Sequence, residues 1–347
     1  MSIRKAKAWR ELMKLGPRFK VIKEQVDTFF RGNVLGVLRE EGWFDYLKEP
    51  RTFTEIASAF SYTDMEYLGL ILDVLVEDGV LQMENDRYHF PLRDISFDWC
   101  QPRVFSEAMV ELWVDHARAI PDRLRGKYMN FNSGLNLFNW DDALTSRAYE
   151  QGRRASFALA GVLKKPVRFL DVGCGNGRGT SAIWTYYYKR GHFQDPRMQI
   201  VGIDPDEKLL TIAREEFPRM VIEYNGNDPE MGKEAAKYPP VFRKGYAEKI
   251  PFEDGYFDVV FASQVLHWTR PREAVREMMR VLRPGGCLFG HENFRPGVNR
   301  YAEIHMKVVE GAYGFLTKQE LEEWARENGA VRVEFATPIS VFRVTKG

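Results

Sequence analysis

Asp171, Gly173, Gly175 and Gly177 stand in one short run, Asp171-Val172-Gly173-Cys174-Gly175-Asn176-Gly177. Glycines at this spacing let a ligand approach the backbone closely and lie beside free helix amides. A dinucleotide fingerprint needs a further glycine at the place where Arg178 stands. The acid two residues before the first glycine is wrong for a pyrophosphate and right for an ammonium or sulfonium. Asp204 ends a second apolar run, where a carboxylate can accept both hydroxyls of a ribose. His267 is the candidate general base, because histidine as a residue type is suited to taking a proton near neutrality. Glu292 is the candidate to orient it. His291-Glu292 is a single pair, without the further carboxylates of a magnesium site, so no metal is expected.

The elements that must position these residues are legible. Val167–Val172 is a short apolar strand, the glycine turn follows, and Thr180 to Tyr188 can be helical. Gln199–Ile203 is a second strand, Phe242–Gly245 a third and Phe257–Ala262 a fourth, running into Ser263-Gln264-Val265-Leu266-His267-Trp268. A helix from Glu273 to Leu282 leads through Arg283-Pro284-Gly285-Gly286 to a fifth strand, Cys287–Gly290.

Four of these blocks in order, the acid with G-x-G-x-G, the ribose acid, Ala247-Glu248-Lys249-Ile250-Pro251-Phe252 before Asp258-Val259-Val260, and Leu282-Arg283-Pro284-Gly285-Gly286, resemble a class I S-adenosylmethionine-dependent methyltransferase. The resemblance covers about 165 to 345. It implies an α/β fold with a Rossmann-like core, a seven-stranded sheet with helices on both faces, and S-adenosylmethionine as cofactor with S-adenosylhomocysteine as product. Carried over by position, Gly173, Cys174, Gly175 and Gly177 line the methionine side, Asp171 meets the amino group, and Asp204 with Pro205 meets the ribose. The family places an acid before the A-E pair; here Tyr246 stands there, which assigns adenine to the Ala247 amide or to Glu248. Ser263 completes the cofactor set.

The preceding residues are mostly α. Thr52 with Glu55 and Thr63 with Glu66 have capping-box spacing. Met65, Leu68, Ile71, Leu72 and Leu75 recur at helical spacing up to Gly79, and Val80 to Phe90 reads as a hairpin. This order is winged-helix-like and resembles the N-terminal domain of two-domain O-methyltransferases, which implies a homodimer. The expected domains are a basic arm at 1–24, the winged-helix-like unit at 25–100, a helical connector at 101–160 with an Asn-rich aromatic loop, and the methyltransferase domain at 161–347.

The net charge of +1 conceals segments of +6 over 1–24 and −9 over 25–100. The acidic unit is a poor fit to DNA, whose binding rests on Lys and Arg at phosphates. The arm, with Arg118, Arg123, Arg125, Lys127, Arg153 and Arg154, offers a surface for RNA or a ribosomal particle, with Tyr128, Phe131, Trp140 and Trp268 as stacking faces for a base. Transfer to an RNA base amine is therefore one expected activity. The alternative is a small-molecule O-methyltransferase with His267 as base; its family run L-H-D-W lacks the Asp here. A cofactor-binding protein without catalysis is a third. Three scattered cysteines and the absence of a long apolar span predict a cytoplasmic protein with no membrane partner. The 8 Gln and 12 Asn beside 99 charged residues point to a thermophilic source.

Overall fold

The computed structural model describes residues 2–14, 18–91, 95–130, 147–161, 167–336 and 341–347. It divides into two compact units, one of 1–16, 143–297 and 315–347, the other of 17–142 and 298–314. The division departs from the four expected segments. The first residues and the helix 147–160 belong with the methyltransferase core, and 298–314 joins the N-terminal unit.

In the larger unit we label α1 (Ile3–Met13), α2 (Arg147–Ala160), β1 (Arg168–Val172), α3 (Arg178–Tyr188), β2 (Gln199–Asp204), α4 (Glu207–Tyr224), α5 (Pro229–Lys237), β3 (Val241–Lys244), β4 (Phe257–Ser263), α6 (Pro271–Val281), β5 (Leu282–His291), α7 (Lys318–Glu327), β6 (Ala330–Ala336) and β7 (Val341–Lys346). The strands form one sheet in the order β3-β2-β1-β4-β5-β7-β6. The first five pair parallel and β7 pairs antiparallel with β5 and β6. Continuous apolar runs such as Phe169-Leu170 and Val259-Val260-Phe261 suit strands covered on both faces. Phe169, Trp184, Phe217, Phe261 and Phe289 pack in one core cluster.

α1 is no free arm. Its Ala8 and Leu12 are buried in one cluster with Ala155 and Leu159 of α2, Ala336 of β6 and Val341 of β7. Amphipathic spacing directs two small or apolar residues inward, and the basic residues are left on the other faces.

The smaller unit runs helix (Arg18–Glu40), short helix (Trp43–Tyr46), strand (Arg51–Thr52), helix (Phe53–Ala59), helix (Met65–Glu77) and hairpin (Gln82–Glu84 with Arg87–His89). Asn85 and Asp86 form the hairpin turn with left-handed backbones, φ 49° and 60°. The strand Arg51–Thr52, absent from the sequence expectation, adds to the hairpin. The Thr52–Glu55 capping box is present. The Thr63–Glu66 box is not, because Asp64 takes the N-cap and accepts the Tyr67 amide at 2.8 Å.

Candidate active site

The turn after β1 is shaped by glycines with left-handed backbones. Gly173 has φ +66°, and a Cβ there would stand 2.6 Å from Val265. Gly175 has φ +53°, and the place of its Cβ is open space, so a ligand can approach this backbone closely. Gly177 is the N-cap of α3 and supplies no side-chain cap, and the Arg178 amide donates to Asn176 Oδ1 at 3.2 Å.

Two buried carboxylates flank this turn. Asp171 Oδ2 accepts a hydrogen bond from Thr180 Oγ1 at 2.6 Å. Burial pushes its carboxyl up to about 7, against the Thr180 hydrogen bond and the positive charge of Arg153. Asp204 Oδ2 accepts the Gly175 amide and Oδ1 the Asp206 amide, both at 2.9 Å. Burial raises Asp204 to about 6, with the two amides pulling the other way. Both Asp204 oxygens keep a lone pair for sugar hydroxyls, and Asp171 sits where an ammonium would relieve its desolvation. The residues present therefore fit S-adenosylmethionine.

The other cofactor candidates are placed as follows. Cys174 is buried, its amide donates to Ile203 O at 3.0 Å, and burial pushes its thiol up, so its part is packing. Pro205 is exposed at the end of β2, and Ser263, half-buried, ends β4 opposite His291. Glu248 accepts the Arg270 amide at 2.9 Å and so holds the start of α6. That contact engages Oε1 alone, so Glu248 stays an adenine candidate beside the buried Ala247. Among the described residues no group of three or more His, Cys, Asp and Glu side chains is placed to hold a metal ion.

His267 and Glu292 meet. Both are buried, and His267 Nδ1 lies 2.5 Å from Glu292 Oε1. Glu292 also accepts the Leu266 amide on Oε2 and the Asn293 amide on Oε1, each at 2.9 Å. A carboxylate that accepts three donors fixes the imidazole tautomer with the proton on Nδ1, which makes Nε2 the atom able to accept a proton. Nε2 has no hydrogen-bond partner among the described residues. The ring lies against Trp268 and Phe315, with centroids 5.1 and 6.0 Å away. The β4–β5 register, Ser263 opposite His291, brings the two turns side by side.

The contacts made beside the dyad by Gln264 and His291 escaped the sequence reading. Gln264 has a left-handed backbone, φ 58°, and its side-chain oxygen accepts from Asn293 Nδ2 at 3.0 Å. His291 is buried and lowered to about 4 by that burial. A Cβ on Gly152 of α2 would stand 2.7 Å from its ring, so this glycine is what admits the imidazole. The one available signal was Gly152 itself, a glycine in mid-helix.

The basic residues expected to offer an RNA surface have carboxylate neighbours. Arg118 bonds Asp115 at 3.0 Å, Arg125 Glu41 at 2.7 Å and Lys127 Asp122 at 3.4 Å. Arg153 and Arg154 both pair with Glu150, at 3.1 and 2.7 Å. Arg123 is buried, paired with Asp64, and sandwiched by Tyr67 and Tyr128 at 4.7 and 4.0 Å from their centroids. Half-exposed Tyr128 thus already stacks on a guanidinium. Phe131 and Trp140 lie outside the described residues.

Residues 170–290 match the family model described as "Methyltransferase domain". Among curated relatives, the chain is 32% identical over 151 residues to a malonyl-[acyl-carrier protein] O-methyltransferase of Legionella pneumophila, covering 40% of this chain and 44% of that protein. It is 30% identical over 157 residues to a ubiquinone/menaquinone biosynthesis C-methyltransferase of Pseudomonas fluorescens, covering 45% and 53%. The chain thus spans about half the length of these curated relatives. The solved structure of the CurJ carbon methyltransferase shares its fold at a TM-score of 0.73, with 16% identity and both chains fully covered. The glycine turn, the sheet order and this match together make residues 170–290 the domain of a class I S-adenosylmethionine-dependent methyltransferase, in a chain that carries an additional N-terminal unit.

Proposed function

We propose that the protein transfers a methyl group to a small-molecule acceptor whose reacting carbon or oxygen loses its proton to His267. The observation that supports this reading is the buried contact of His267 Nδ1 with Glu292, 2.5 Å, itself held by two backbone amides. A neutral aromatic amine, as on an RNA base, can attack first and lose its proton afterwards. An imidazole backed by a buried carboxylate is what a hydroxyl or a carbon acid requires. The paired state of the basic connector removes support from the RNA alternative. The printed activities of the relatives, O- and C-methylation, are of the kind proposed.

Bound S-adenosylmethionine supplies an already activated sulfonium methyl. Asp171 would hold the cofactor's amino group and Asp204 its ribose, with the turn at Gly173 to Gly177 beside them. Holding the acceptor in line with the methyl accounts for about 7 kcal/mol of barrier reduction or more. His267 Nε2 would accept the proton that the acceptor loses, while the bound cofactor would give up its methyl group to the acceptor and leave as S-adenosylhomocysteine. Glu292 stabilises the imidazolium so formed.

The helices followed by a hairpin in the smaller unit support reading it as winged-helix-like, and we propose that its role is packing or dimerisation; light scattering of the whole chain measures this. The test of the main reading is incubation with methyl-labelled cofactor and a cell extract. Label in the small-molecule fraction is expected, and RNase-sensitive label would refute the proposal. His267→Ala should lower kcat by about 10²- to 10⁴-fold and leave the affinity for S-adenosylhomocysteine unchanged.

A further inference from the structure

The solvent face of α1 is chemically unlike the outward face of a helix whose only task is to cover a core. Such a face is ordinarily polar. Here Ile3, Trp9 and Met13 are 77%, 46% and 47% exposed. Exposed Lys7, Arg10 and Lys14 stand among them. The spacing explains the arrangement: Trp9 and Met13 are four residues apart, and Ile3 and Arg10, like Lys7 and Lys14, are two turns apart. The inward residues, Ala8 and Leu12, are already used against α2, β6 and β7. The helix with its C-cap carries five basic side chains and one acid, Glu11, whose carboxylate lies 2.6 Å from Lys14.

We propose that this face of α1 is a docking surface for an anionic lipid bilayer, on which the helix lies in the plane of the headgroups. Apolar side chains that project from a convex helix between cations match a surface with acyl chains beneath a layer of negative charge. A folded protein partner would have to offer a pocket for each projecting side chain, and RNA has no use for Ile3 and Met13. The expectation of no membrane partner rested on the absence of an apolar span. A helix that lies on a bilayer needs none, and no helix among the described residues is long and apolar enough to cross one. The docking would bring the methyltransferase unit to an interface in which sparingly soluble acceptors concentrate. The inference concerns only the surface and stands whether or not the acceptor class proposed above is right.

The experiment is co-sedimentation of the full chain with large vesicles of phosphatidylcholine alone or with one third phosphatidylglycerol, in low salt and in half-molar salt. Binding is expected only to the anionic vesicles and should weaken in high salt. Each basic residue near such a surface contributes about a fivefold factor in affinity, so Lys7→Glu with Arg10→Glu should reduce binding well over twentyfold. Trp9→Ser with Met13→Ser should also abolish it, because the apolar limb is lost. All four residues are exposed, so melting temperature and S-adenosylhomocysteine affinity should not change. Failure of the wild-type chain to bind anionic vesicles in low salt overturns the proposal. So does binding that survives Trp9→Ser with Met13→Ser, or tighter binding to polyuridylate than to the vesicles; these would indicate a charge-only contact with a nucleic acid or an acidic protein.

Discussion

Cofactor binding should be proton-linked, because the two carboxylates that fit the cofactor are buried and hard to ionise. Asp171 is raised to about 7 and Asp204 to about 6, in both cases chiefly by desolvation. Without ligand, these groups favour the folded state while neutral. That contribution is complete below the ordinary carboxylate range and is lost as pH rises through 6 to 7. Only the ionised forms can pair with an ammonium or accept two sugar hydroxyls fully. At pH 5.5 Asp171 is about 3% and Asp204 about 24% ionised, against roughly 90% or more for both at pH 8. If both must be charged, affinity falls about 30-fold from the first and about 4-fold from the second between pH 8 and 5.5, together about 3 kcal/mol. At pH 6.5 binding should release about one proton. Titration calorimetry with S-adenosylhomocysteine, in buffers of different ionisation enthalpy, measures both quantities. Asp171→Asn should bind weakly at every pH and with a flatter profile. An affinity constant from pH 5.5 to 8 with no proton release would refute the assignment of these carboxylates.

Glu292→Gln should lower kcat while sparing S-adenosylhomocysteine affinity, since a carboxamide cannot accept three donors or stabilise an imidazolium; equal loss of both in kinetics and calorimetry would make Glu292 structural. Leu12→Ala should destabilise the protein by about 2–3 kcal/mol in denaturant titrations, because Leu12 is buried on α1; a solvated arm would show no change. Stability should also fall with acid: burial lowers His116 to about 4 and His305 to about 3. Histidines held neutral lose their contribution as pH drops from 6.5 toward those values, by up to about 3 kcal/mol for His116 and about 5 kcal/mol for His305, and a flat denaturation midpoint over that range would count against it. Gly290→Ala should cost more than about 3 kcal/mol or yield no soluble protein, because its Cβ would stand 1.7 Å from the Ala262 carbonyl oxygen of the neighbouring strand.

Features governed by neighbours in the chain were legible beforehand. The glycine turn, the acids at Asp171 and Asp204, the Thr52–Glu55 box and the five parallel strands all follow from short-range steric and hydrogen-bonding rules. Where two local rules competed, one reading failed: Thr63 and Asp64 both suit an N-cap, and the structure uses Asp64. Glu248 shows the same limit at longer range, since no local pattern announces that its carboxylate will meet the Arg270 amide 22 residues on.

From sequence alone the resemblance to a methyltransferase domain and its cofactor loop was legible, because that loop is built from contiguous residues whose backbone freedom and charge are properties of residue type. Only the tertiary structure decided what the charged groups do. Arg118, Arg125, Lys127, Arg153 and Arg154, read as free cations, each sit 3.4 Å or less from a carboxylate. The arm became a docked helix through contacts with residues far along the chain. His267 and Glu292, 25 residues apart, became a dyad because two parallel strands stand in one register. Coulomb and hydrogen-bond energies depend on distance in space, and distance in space between remote residues is set by the register and packing of the sheet.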